Sequence, residues 1–166
     1  MGREVRRVPE NWNHPKNEDG GYLPLFDHSF KESLEEWEEG NKQWQKGFRD
    51  SYDKENPWKP KTKDQEEMTY EEWAGEKPKA EDFMPEWDEK EKTHIQMYEN
   101  VTEGTPISPV FDNAEDLARW LADNNASAFG SMTANYEQWL STIKRGFAPS
   151  MIGNGRSFTS GVEALD

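Results

Sequence analysis

A chain of 166 residues with 34 acidic against 20 basic side chains, a net charge of −14, repels nucleic-acid phosphates and anionic lipid. Direct binding to either is not expected, and a cationic partner is the natural complement. The absence of cysteine removes disulfides and thiolate metal sites, and no apolar stretch is long enough to span a bilayer as a helix.

Hydrophobic residues make up 32% against 33% charged, yet eight Trp, eight Phe and five Tyr offer enough buried area per side chain for a compact body. The opening REVRRVPENWNHPKNEDGGYLPLF gathers Arg3, Arg6 and Arg7, and its three prolines with Gly20 and Gly21 forbid a continuous helix. Residues 1–27 therefore read as an extended arm, anchored along the body by Val5, Val8, Trp12, Tyr22, Leu23, Leu25 and Phe26. The arginines suit phosphate or salt bridges, and the overall sign of charge favours salt bridges to the acidic chain that follows. The start has no apolar leader run, so an intracellular setting is the expectation.

HSFKESLEEWEEGNKQWQKGF predicts a helix over 28–49, opened by Ser29 with Glu32 three residues on. Phe30, Leu34, Trp37, Trp44 and Phe48 form its apolar stripe, and Gly40 weakens its middle. Glu35, Glu36, Glu38 and Glu39 precede Lys42, Lys46 and Arg49. That order suits the helix dipole, while the row of carboxylates is also spaced like backbone phosphates. Residues 50–85 read as an irregular acidic, proline-rich loop with one helical turn opened by Thr69 and Glu72. Such loops carry function or lack order. Trp58, Tyr70, Trp73 and Phe83 argue for intermittent docking, and the recurring EEW and PEW triplets keep no fixed period.

Residues 86–147 read as a helical body. A helix over 86–100 around Trp87, Ile95 and Tyr98 leads through the β-biased TEGTPISPVF into two short amphipathic helices. The first repeats Ala114, Leu117, Ala118 and Leu121 behind an acidic cap of Asp112 and Glu115. The second repeats Tyr136, Trp139, Leu140, Ile143 and Phe147 behind Thr133 and is closed by Gly146. Neither is long enough to stand alone, so the pair should pack together and bury Leu117, Leu121, Trp139, Leu140 and Ile143. The tail 148–166 offers a hairpin turning at Gly153, Asn154 and Gly155. The expected fold is mainly α (α+β with minor short strands), a small helical body with an extended N-terminal arm and long proline-rich loops, and the expected domains are the arm 1–27 and a single domain 28–166.

REVRRVPENWNHPK with YLPLF, THIQMYENVTEGTPISPVF and LARWLADNNASAFGSMTANYEQWLSTIKRG together resemble a family of small acidic proteins of tailed bacteriophages and prophages. The resemblance covers most of the chain and is weakest in the acidic middle. It implies a phage origin and a host-cell setting, the host cytoplasm, and carries no chemistry or site residue with it.

No motif for catalysis emerges. His14, His28 and His94 are scattered without metal-ligand spacing, and Ser127, Ser131 and Ser160 lack a nucleophile-elbow context. The glycines at 20–21 and 153–155 do not extend to a phosphate loop, and the acidic runs 53–55 and 64–67 lack the calcium-loop order. No enzyme, cofactor or metal is expected. The function expected is a phage-encoded acidic modulator or inhibitor that docks on a basic, nucleic-acid-binding host protein, in one version by imitating DNA. Its partner-binding residues would be Glu35, Glu36, Glu38, Glu39, Glu66, Glu67, Glu71 and Glu72, with Trp58 and Trp73 as hot spots and the patch 81–91 in support. The alternative is a virion-associated accessory protein whose arm and Trp-dotted loops wrap a neighbouring subunit.

Overall fold

A computed structural model of the protein describes residues 2–100, 104–153 and 158–164. In chain order it shows β1 (Arg3–Val8), α1 (Phe30–Gln45), β2 (Phe48–Asp50), β3 (Trp58–Pro60), α2 (Tyr70–Ala74), β4 (His94–Glu99), α3 (Ala114–Asp123), α4 (Tyr136–Arg145), β5 (Phe147–Ala148), β6 (Met151–Gly153), β7 (Phe158–Ser160) and α5 (Gly161–Ala164). Helix covers 34% and strand 20%, so the chain is a small α+β protein, which corrects the expectation of a mainly α fold. It divides into two compact units, one of residues 1–27 with 85–166 and one of His28–Met84. The contact boundaries fall after Asp27 and after Met84, and residues 1–27 share a unit with 85–166.

The first unit is built on a sheet in the order β4-β1-β5, all antiparallel, with Arg3 opposite Glu99 and Val8 opposite His94. The segment 105–111 runs along the free edge of β4, where Ile95 and Phe111 exchange both backbone hydrogen bonds and Ile107 N donates to Met97 O at 2.8 Å. The supposed arm thus contains the middle strand of the sheet. Its basic cluster is tied to acids: Arg3 to Glu99, Arg6 to Glu4 and Asp27, and Arg7 to Glu89.

The predicted helix over 86–100 is instead a turn followed by β4. Trp87, Ile95 and Tyr98 suggest a helical face, but the period along the strand is two. Met97 joins the core while Gln96 and Tyr98, buried too, point to the opposite face. Because both faces are covered, no polar side betrays the strand.

α3 and α4 pack as a pair, and Leu117, Ala118, Leu121 and Trp139 are fully buried in one cluster with Met97, Ala128 and Val162; Ile143 is buried beside them and Leu140 is half-buried against them. The caps sit one or two residues later than expected. Asn113 Oδ1 accepts from Asp116 N at 2.8 Å, and Asn135 forms a full capping box with Gln138. Gly146 closes α4 in the left-handed region at φ 93°. Phe147 leaves the helix stripe for β5 and is half exposed. β6 and β7 pair antiparallel, while the expected turn residues Asn154 and Gly155 lie outside the described residues. Leu121→Ala is expected to cost about 2–5 kcal/mol, read as a lowered midpoint in denaturant unfolding, because a fully buried site refills poorly.

The second unit begins with α1, where Ser29 Oγ accepts from Glu32 N at 3.3 Å. α2 opens with the expected box of Thr69 and Glu72. β2 and β3 form a two-stranded ribbon. Trp44 is the buried centre: Tyr70 is tilted against it at 5.8 Å, Trp73 is stacked at 5.7 Å, and its Nε1 donates to Met68 O at 3.0 Å. Gly40 is buried under the Tyr70 ring, which explains a glycine in mid-helix. The stretch 50–85 is not a structureless loop, since aromatic docking orders it around α1.

Candidate functional site

All ten of the partner-binding residues expected from sequence fall in the second unit. Its 16 acidic and ten basic side chains leave it at −6. Glu35, Glu36, Glu38 and Glu39 are exposed along α1, as are Glu66 and Glu67 ahead of α2 and Glu71 and Glu72 in its first turn. Trp73 is 38% exposed and Trp58 is half-buried on β3.

The carboxylates are not equivalent. Glu38 Oε1 accepts from Lys77 Nζ at 2.7 Å, and Glu35 lies 3.9 Å from Lys31. Glu39 accepts from Gln43 Nε2 at 2.7 Å and Lys42 Nζ at 3.4 Å, and the Gln43 bond leads in holding its pKa below the usual carboxylate range. Glu72 Oε2 accepts from Thr69 N at 2.7 Å and Thr69 Oγ1 at 2.9 Å, bonds that lower its pKa and fix the cap of α2. Glu32, Glu36, Glu66, Glu67 and Glu71 carry no side-chain hydrogen bond or ion pair among the described residues. Exposed pairs such as Glu35 with Lys31 are weak and exchangeable. Two lysines of the unit already rest on its rings, Lys61 Nζ 4.5 Å from the Trp44 centroid and Lys77 Nζ 5.8 Å from that of Trp37.

The supporting patch 81–91 is not one surface of one unit. Glu81 and Asp82 belong to the second unit, whereas Asp88, Glu89 and Glu91 belong to the first. There Glu89 pairs with Arg7 and Lys92, and Glu91 Oε2 accepts from Asp88 N at 3.0 Å.

Sequence reasoning missed a polar centre in the first unit. Tyr98 Oη lies at its middle, accepting from Trp12 Nε1 at 3.0 Å, with His14 Nδ1 at 3.1 Å and Gln96 Oε1 at 2.9 Å. His14 Nε2 donates to Leu23 O at 2.6 Å, and Gln96 Nε2 donates to Ser108 O at 2.7 Å. The Arg6 guanidinium lies 4.3 Å from the Tyr98 centroid and donates to Leu25 O at 2.8 Å. Burial pushes the Tyr98 hydroxyl up to about 12, so it stays protonated. Trp12, His14, Gln96 and Ser108 also line a cleft of about 480 Å³ with Tyr22 and Trp120. The signal was available only in the alternation of Gln96 and Tyr98, which requires a strand where a helix was expected.

Burial, and secondarily the Arg6 charge, hold the His14 pKa below its ordinary value, against an opposing bond to the Leu23 carbonyl. A neutral ring is therefore favoured in the folded state, and the unfolded chain binds the proton more readily. The stabilisation is complete above the unfolded pKa of about 6.5 and is lost as pH falls through the lower folded value. Melting temperature is expected to fall on acidification from about pH 7.5 to about pH 5. His14→Gln should flatten that slope in a thermal-melt series.

Fold and exposed chemistry together define a small α+β protein whose second unit presents acid interleaved with aromatic rings. No family model, curated protein or solved structure matches the chain. Among the described residues no helix is long and apolar enough to cross a membrane, and no group of three or more His, Asp or Glu is placed to hold a metal ion.

Proposed function

We propose that the protein is a binding protein whose second unit docks a cationic segment of another protein. The observation that carries this reading is the gathering of Glu32, Glu36, Glu66, Glu67 and Glu71, none tied to a side-chain partner among the described residues, in one unit with Trp58 and Trp73. Carboxylates steer and orient a basic partner, while Trp supplies rigid area and a π face for Lys or Arg. The positions of Lys61 and Lys77 support this chemistry, since they show ammonium groups settling on the unit's rings. A basic nucleic-acid-binding protein of the host cytoplasm is the partner class. The phage setting rests on the sequence resemblance alone. Imitation of DNA is the narrower form of the proposal and rests on the α1 acids, of which Glu38, Glu39 and Glu35 are already shared with neighbouring cations or amides.

A Lys/Arg-rich peptide titrated into the isotopically labelled chain tests the reading. Chemical-shift changes centred on Trp58, Trp73 and the five carboxylates are expected. The first unit carries a net −8 from 18 acids and ten bases, so shifts spread over both units would reveal simple attraction to acid and contradict a docking surface.

A further inference from the structure

The groups around Tyr98 are one proton short. The Leu23 carbonyl only accepts, so His14 Nε2 must carry a proton. The Ser108 carbonyl also only accepts, which turns the Gln96 amide so that Oε1 faces Tyr98. Trp12 donates into the same hydroxyl. With His14 neutral, the single Tyr98 proton faces two acceptors, Nδ1 of His14 at 3.1 Å and Oε1 of Gln96 at 2.9 Å. His14 and Gln96 are 3% and 5% exposed and both line the cleft, so the missing donor comes from whatever occupies it, water or a bound molecule, and an unmet buried acceptor is costly. A second proton on His14 would complete the set. It is opposed by burial and by Arg6, itself held by Glu4 and Asp27. The remaining groups facing the ring are Tyr98, the Tyr22 ring at 5.5 Å, and Lys16, which lies over Tyr22.

We propose that the cleft beside this centre is a binding site for a small, neutral aromatic compound bearing one hydroxyl or N–H donor. Its ring lies among Trp12, Tyr22 and Trp120, and its donor supplies Gln96 Oε1, leaving the Tyr98 proton to His14. Neutrality follows from the lining, which holds no charged side chain. The aromatic class follows from the rings that line it. The donor follows from the proton count. One neutral hydrogen bond to an otherwise short acceptor makes the donor worth about five- to tenfold in affinity. Ligand and proton oppose each other, so binding weakens as pH falls through the His14 pKa and the ligand lowers that pKa in return.

Phenol and anisole share a ring and differ in the donor, which makes them the probes. They are titrated into the isotopically labelled full chain while the Trp12 and Trp120 indole signals and the Gln96 amide signals are followed. Phenol is expected to shift all three with a dissociation constant on the order of millimolar, about five- to tenfold tighter than anisole at about pH 7.5, the ratio shrinking at about pH 5. Gln96→Leu should remove the phenol advantage. If that variant does not fold, the wild-type ratio and its pH dependence decide alone. Equal affinities for the two probes, or no shift of the cleft signals with either, overturns the proposal.

Discussion

Deleting residues 2–8 is expected to abolish cooperative folding of the first unit. β1 lies between β4 and β5, so its loss removes both ladders and leaves Met97 and Tyr98 without their neighbouring strand. It also removes Arg3, which is 1% exposed. Arg3 Nε donates to Ser127 O at 2.7 Å, its Nη2 donates to Ser127 Oγ at 3.0 Å, and it pairs with Glu99 at 3.5 Å. A domain of this size has about 5–15 kcal/mol in total. Arg3→Ala alone is expected to cost about 3–5 kcal/mol, since it leaves a largely buried Glu99 uncompensated. Hydrogen exchange at the β4 amides is the readout. Native-like protection of Ile95 to Tyr98 after truncation would contradict the place of β1 between β4 and β5.

Gly40→Ala in α1 is expected to destabilise the second unit although Ala favours helix by about 1 kcal/mol. The added Cβ would stand 1.9 Å from Tyr70 Oη and 2.6 Å from its Cζ. The Tyr70 ring is held between Trp37 at 5.1 Å and Trp44 at 5.8 Å, so it retreats only by opening the aromatic cluster. Overpacking of this kind costs about 1–3 kcal/mol, enough to cancel the propensity gain and reverse it. The background Tyr70→Ala should change the sign, with Gly40→Ala now stabilising by close to its propensity value. Denaturant unfolding of the four proteins reads this directly, and a stabilising Gly40→Ala in the native background would contradict the packing.

Local signals survived well in this chain. Ser29 with Glu32, Thr69 with Glu72 and the left-handed Gly146 are read by rules that span a few residues, and they stand where expected. The stripes of α3 and α4 named their own core, because each helix buries one face. What was lost is non-local. β1 pairs with a strand some ninety residues away, so salt bridges from Arg3 and Arg6 were legible in the sequence but their burial was not. β4 is buried on both faces and is flanked by Glu and Lys, which hid its period of two. The Tyr98 centre was hidden with it. Among the acids, sequence alone did not separate Glu72, engaged in a cap, and Glu39, engaged with Gln43, from Glu36, Glu66 and Glu67, which carry no side-chain partner among the described residues.

The docking reading stands or falls on electrostatics confined to those carboxylates. Replacing Glu32, Glu36, Glu66, Glu67 and Glu71 by Gln removes five charges at little cost in helix propensity and breaks no side-chain contact described above. Affinity for the Lys/Arg-rich peptide is then measured for both proteins as salt is raised from about 0.01 to about 0.15 M, over which the screening length contracts from about 30 to about 8 Å. The account predicts that the native chain binds and weakens steeply with salt, and that the folded variant loses both the affinity and the slope. A folded variant that binds with unchanged affinity and the same slope would show that these carboxylates are not the docking surface.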